Sequence, residues 1–311
     1  MREMMKTGKI LIFGVTAVGK GMLAFEMARR LGGEILSVDS MKVYRRMDIG
    51  TAKPPPERRQ QVPYHMIDVV EPSEAFSAGL FLDRAIPILE QIRRRGRPVV
   101  AVGGTALYIK ALLYGLFDGP GADASIRGEL HQRARTQGLQ DLYQQLCQVD
   151  PEAASRIHAN DAKRIIRALE VFRLTGRPIS RFQTQFDPAR SLEDWTIVGL
   201  RRDKAEESHR MNLRVKRMVE GGLVEEIRAL LAEPQPLSAQ ARSAIGYAEI
   251  IDYLAGKDGL EGAVERIKRN TRRLAKGQRT WFKTFPCVHW LDIQSGEALD
   301  QTLERAMGLC R

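Results

Sequence analysis

Cysteine is scarce. The 311 residues hold three, Cys147, Cys287 and Cys310, far apart and with no C-x-x-C pair. That excludes a disulfide framework, gives no support to a zinc site and points to a reducing compartment. No run approaches the roughly 18 apolar residues of a membrane span. The start, MREMMKTGK, is too polar for a signal peptide. Acidic residues are in deficit, 38 against 49 Lys and Arg, which leaves a net charge of +11. A chain this basic either meets a polyanion or is simply a basic enzyme, and the location of the charge decides between them. Hydrophobic residues at 43% and charged residues at 28% are ordinary for a globular protein and exclude disorder as the main state. Repeats and low-complexity stretches are absent.

KILIF (9–13) is a short apolar run that ends in glycine and reads as a buried strand. GMLAFEMARRL (21–31) follows with helical spacing, and EILSV (34–38) reads as a second strand. Residues 39–63 carry Pro54, Pro55 and Pro56 and read as a long loop, of the kind that is usually functional. MIDVV (66–70) reads as a third strand and 77–95 as a helix with Pro87 as a kink point. PVVAV (98–102) is the fourth strand, and a helix follows over 105–113. Alternating strands and helices predict an α/β fold, a parallel sheet flanked by helices. Ligands in such folds sit at the carboxyl ends of the strands, where 14–21, 39–44 and 103–105 all fall.

Near GLFDGPGADAS (115–125) Gly and Pro cluster and the strand pattern stops. The pattern from 126 to about 182 is helical and polar, which predicts an α-helical insert over 116–189. The core is then 1–115 with 190–311, where WTIVGL (195–200) and CVHWLD (287–292) read as the remaining strands.

GVTAVGKG (14–21) has the G-x-x-x-x-G-K spacing of a P-loop between a strand and a helix. Backbone amides from Gly14, Val15, Thr16, Ala17, Val18, Gly19, Lys20 and Gly21 would converge on phosphate oxygens, with Lys20 as a mobile full charge. The eighth position is abnormal. Gly21 stands where a Ser or Thr hydroxyl ordinarily ligates Mg²⁺, so the metal ligands are not assigned. The fourth strand runs into Gly103-Gly104-Thr105 with no acid at its end, which argues against a standard ATPase or kinase. The acid is instead Asp39, after the second strand, placed to ligate a metal, take a proton or cap a turn.

These segments resemble the tRNA dimethylallyltransferases, also called the IPP transferase family. SVDSMKVYRRMDIGTAKP (37–54), VPYHMID (62–68), GGTALYIKALL (103–113), NDAKRIIRALEVF (160–172), SAIGYAEI (243–250) and IKRNTRRLAKGQRTWFK (267–283) each resemble a family motif, in order along nearly the whole chain. The resemblance implies a P-loop NTPase-like core that binds the diphosphate of dimethylallyl diphosphate, with Mg²⁺. The reaction it implies is transfer of the dimethylallyl group to N6 of adenine 37 in tRNAs that read codons beginning with U. It implies Asp39, Thr105 and Arg214 as catalytic residues. It also implies contact with the anticodon stem-loop through Asp39, Ser40, Met41, Lys42, Thr105, Arg127, Lys163, Arg164, Ile165, Ile166, Arg167, Gly246, Tyr247, Lys276, Gln278 and Arg279. A cytoplasmic monomer with no membrane partner is expected.

The charge agrees with an RNA partner. Lys163 and Arg167 are four apart and share a helical face. The 267–283 segment carries Lys268, Arg269, Arg272, Arg273, Lys276, Arg279 and Lys283 with few balancing acids. Several positions depart from the family pattern: Val18, Gly21, Lys42, Tyr64, Ala106, Ala248 and Gly277. They leave a second reading open, a tRNA-binding paralogue with weakened catalysis. A prenyltransferase for free adenine nucleotide is disfavoured by the insert and the basic segment. A small P-loop kinase is disfavoured by the missing hydroxyl and the missing strand-end acid.

Overall fold

The protein is seen in a computed structural model that describes residues 8–116, 119–182 and 194–310. The polar start at residues 1–7 and the expected domain boundary at 189–190 lie outside the described residues. Backbone contacts divide the chain into two compact units, Met1–Leu113 with Ser191–Arg311, and Tyr114–Arg190.

The first unit opens with β1 (Lys9–Gly14), α1 (Lys20–Leu31), β2 (Glu34–Val38), α2 (Pro56–Gln61), β3 (Tyr64–His65), α3 (Ala78–Arg94), β4 (Val99–Gly103) and α4 (Ala106–Tyr114). The second unit holds α5 (Ala124–Thr136), α6 (Leu139–Val149), α7 (Pro151–Arg156), α8 (Ala162–Thr175) and a 3₁₀ turn at Ile179–Arg181. The first unit resumes with β5 (Trp195–Arg201), α9 (Lys204–Glu220), α10 (Leu223–Leu231), α11 (Ala239–Arg242), α12 (Tyr247–Leu254), α13 (Leu260–Phe282), β6 (His289–Asp292) and α14 (Leu299–Gly308).

The six strands form one parallel sheet in the order β3-β2-β4-β1-β5-β6. Strands buried on both faces suit apolar runs such as KILIF and EILSV. Ile10 and Ile12 pack with α1 and α14, while Phe13 on the opposite face meets Phe282 of α13, Phe285 and Trp290. β1 lies between β4 and β5, with β2 beyond β4, so the chain's crossovers diverge beside the P-loop, where such sheets bind ligands. This is the P-loop NTPase-like architecture.

Helix ends follow local chemistry. Ser77, Asp123, Asp161 and Asp203 accept hydrogen bonds from the first-turn amides of α3, α5, α8 and α9. α3 continues through Pro87 to Arg94. The expected strand at 66–70 is not formed. The edge strand is Tyr64–His65, and 66–70 turns away with Met66 at φ 62° and Asp68 at φ 56°. Its amides go instead to the 42–43 segment, Asp68 N–H to Lys42 C=O and Val69 and Val70 N–H to Val43 C=O. Asp68 is further held by Lys53 and Arg59. The long loop read at 39–63 also contains the short helix α2.

The second unit has its own apolar core, which includes Leu130, Leu142, Leu146, Ile165, Ile166 and Leu169. No helix among the described residues is long and apolar enough to cross a membrane.

Candidate active site

β1 delivers the P-loop, β2 delivers Asp39 and β4 delivers Gly104 and Thr105, all at one carboxyl edge. The loop turns through Ala17 at φ 64° and Gly19 at φ 110°, and α1 starts at Lys20. The N–H groups of Ala17, Gly19, Lys20 and Gly21 have no acceptor among the described residues. Four acceptor-less donors at the start of a helix suit an anion. Arginines fasten the loop. Arg210 Nε donates to Ala17 C=O at 3.0 Å, Arg202 Nε to Val18 C=O at 3.1 Å, and Arg214 Nη1 to Thr16 Oγ1 at 3.1 Å. These bonds occupy the Ala17 and Val18 carbonyls.

Lys20 Nζ donates to Val15 C=O at 3.1 Å. Burial, then the charges of Arg214 and Lys42, push its ammonium down to about 7, with Asp39 opposing. Burial also lowers Lys42 and Arg214, each opposed by Asp39. Three cations thus gather at one carboxylate and four acceptor-less amides.

Asp39 closes an Asx turn. Its Oδ1 accepts from the amides of Met41 at 2.9 Å and Lys42 at 3.3 Å, and its Oδ2 has no hydrogen-bond partner among the described residues. Thr105 Oγ1 accepts from Ser40 N–H at 3.0 Å and donates to Ser40 Oγ at 3.3 Å, so β4's end fixes the residue beside Asp39. The loop after it is anchored by Glu226, which accepts from the amides of Asp48, Ile49 and Gly50 and from Tyr247 Oη. A side chain at Gly50 would collide with the Tyr247 ring.

The donor set does not fit a protein-held Mg²⁺. Gly21 offers no side-chain oxygen, Thr16 Oγ1 already accepts from Arg214, and Asp39 keeps one free oxygen. Among the described residues no cluster of three His, Cys, Asp or Glu is arranged to hold a metal.

A family model described as IPP transferase matches residues 42–285. The chain belongs to the IPP transferase family. A tRNA dimethylallyltransferase from Geobacter metallireducens is 45% identical over 312 residues, with 99% of each chain covered. The structure of a tRNA isopentenylpyrophosphate transferase from Bacillus halodurans is 39% identical with a TM-score of 0.69, covering 97% of each chain. A eukaryotic dimethylallyltransferase acting on tRNA is 28% identical with a TM-score of 0.80, covering 96% of this chain and 77% of that one.

The residues assigned by resemblance fall into separate groups. Gly14–Gly21, Asp39, Ser40, Met41, Lys42, Thr105 and Arg214 gather at the sheet edge. Tyr247 is fully buried, and Gly246 N–H donates to Glu249, so both shape the fold around the 48–50 loop. In α13, Lys276 is exposed, Arg279 pairs with buried Glu207, and Gln278 is buried against the P-loop. In the second unit Lys163 and Arg164 are exposed, and Ile165 and Ile166 are core residues. Arg127 and Arg167 both grip Glu170, which is fully buried. Arg202 and Arg210 were not found from sequence. The four-residue spacing of Arg210 and Arg214 was the available signal.

Proposed function

We propose that this chain moves the dimethylallyl group of dimethylallyl diphosphate to N6 of adenine 37 in tRNAs reading codons that begin with U. Diphosphate is released. The carrying observation is the set of four acceptor-less P-loop amides beside Lys20, Lys42 and Arg214, one carboxylate away from the Asp39–Thr105 edge. The adenine N6 lone pair attacks the allylic C1, the C1–O bond breaks, and its electrons leave on diphosphate. The amides, Lys20 and Arg214 take up that charge as it develops, which is where fixed donors accelerate a reaction most. Asp39 receives the N6 proton through its free Oδ2, and Thr105 orients the Ser40 segment next to it.

Mg²⁺ would neutralise diphosphate charge in this reading; no side chain is assigned to hold it, and no step above uses it. RNA contact is assigned to exposed cations of both units: Lys163 and Arg164 in α8, and Arg269, Arg273, Lys276 and Lys283 in and after α13. The last four recur every three to seven residues, and their side chains make no ion pair or hydrogen bond among the described residues. Arg127 and Arg167 act through Glu170, holding the α8 surface in shape. The adenine leaves its stack to reach the edge, the usual cost of chemistry on a base. The chain is placed in the cytoplasm and acts as a monomer.

The test is direct. Purified protein, dimethylallyl diphosphate, Mg²⁺ and an unmodified tRNA with a matching anticodon should yield N6-prenyladenosine on digestion and mass spectrometry. Asp39→Ala should yield far less in the same time. Salt-sensitive tRNA binding without product would make the chain a binding paralogue instead.

A further inference from the structure

Gln278 lies in α13, in the segment that the family resemblance gives to RNA, yet it is 9% exposed. Its Oε1 accepts from Thr16 N–H at 3.0 Å and its Nε2 donates to Gly104 C=O at 2.8 Å. The amide orientation is unambiguous, since the Thr16 group can only donate and the Gly104 group can only accept. A Cβ on Gly104 would lie 2.6 Å from Nε2, so glycine there makes room for this carboxamide.

The placement is between the two halves of the reaction. Ala17, whose amide has no acceptor among the described residues, directly follows Thr16. Thr105, one residue after Gly104, holds the Ser40 amide beside Asp39. The carboxamide is thus a strut from the diphosphate loop to the acceptor edge. It is carried by the helix whose exposed face bears Arg269, Arg273 and Lys276.

We infer that Gln278 is a positioning residue that sets the distance between the diphosphate cradle and the Asp39–Thr105 edge, and does not read RNA. The inference rests on the transfer reading above. A strut of this kind acts on the reacting geometry, where a misplacement of about 1 Å costs on the order of 100-fold in rate. Gln278→Ala should therefore lose about 100-fold in kcat while its KM for tRNA stays within about twofold.

Gln278→Glu supplies a readout that a merely structural role does not move. The ionised carboxylate cannot donate to Gly104 C=O and sets negative charge beside the diphosphate loop. The protonated acid restores one donor and one acceptor; burial and the charge of bound diphosphate raise its pKa, and the nearby Lys20 ammonium opposes them. The kcat of Gln278→Glu relative to wild type at the same pH, which cancels titrations the two proteins share, should rise at least tenfold from about pH 8 to about pH 5.5. A tenfold rise in KM for tRNA with kcat unchanged in Gln278→Ala would overturn the inference in favour of RNA reading. So would a flat pH ratio in Gln278→Glu, even if Gln278→Ala fails to fold. Wild type without product overturns the transfer reading and the inference with it. Wild type with product and an unimpaired Gln278→Ala overturns the inference alone.

Discussion

At the amino edge of the sheet, Glu34 is 2% exposed and its carboxylate is shared among His65, Arg95 and Arg97. At the carboxyl edge, Lys20, Lys42 and Arg214 share Asp39, and four amides have no acceptor. The first arrangement surrounds an anion the chain already owns. Burial opposes ionisation of Glu34, but the Arg95 and His65 hydrogen bonds outweigh it and hold the carboxyl below its usual value. The second arrangement surrounds an anion that the chain lacks. One sheet therefore carries a closed electrostatic end for stability and an open one for a ligand.

Breaking the open edge should cost activity, and breaking the closed edge should cost stability. Asp39→Ala should lower kcat by about 10² to 10⁴, the usual range for a lost proton acceptor, with tRNA affinity retained in a filter-binding assay. Lys20→Met should raise KM for dimethylallyl diphosphate by about 10- to 100-fold, the worth of a charged hydrogen bond, as measured in steady-state kinetics. Glu34→Gln should cost about 1–3 kcal/mol in denaturant unfolding while leaving kcat unchanged. The stability from Glu34 is fully present above about pH 4.5, its ordinary value, and is lost as pH falls through the lower folded value. Smaller effects should follow at two further positions of this edge, Lys42 and Gly21. Lys42→Gln should raise the Mg²⁺ concentration for half-maximal activity by roughly two- to fivefold, and Gly21→Thr should lower it by a similar factor.

The parts of the open edge that follow an apolar run were legible in the sequence. The P-loop, Asp39 and Thr105 each come directly after a strand, and strand ends in a parallel sheet share one edge. The parts held by distant elements were not. Gln278 is 262 residues from Thr16, and Arg210 is 193 from Ala17, distances over which spacing says nothing. The missed edge strand has a similar cause. MIDVV has strand composition, but its amides bond to the 42–43 segment, and two positive φ angles carry it off the sheet. The ion pairing of three arginines was hidden for the same reason. Arg127, Arg167 and Arg279 look like free cations in sequence, and each is bound to a buried glutamate, Glu170 or Glu207.

The central claim, that the carboxyl edge is held short of an anion, is tested by calorimetric titration of inorganic diphosphate into wild type and Lys20→Met in buffers of different ionisation enthalpy. Lys20 titrates at about 7 in the unliganded protein. Below that value it is already charged. Above it, binding must recharge it, so wild-type affinity should fall as pH rises through about 7. At about pH 8 wild type should take up about one proton more per diphosphate than Lys20→Met. Equal proton uptake in the two proteins, with wild-type affinity level from about pH 6 to about pH 9, would contradict the account.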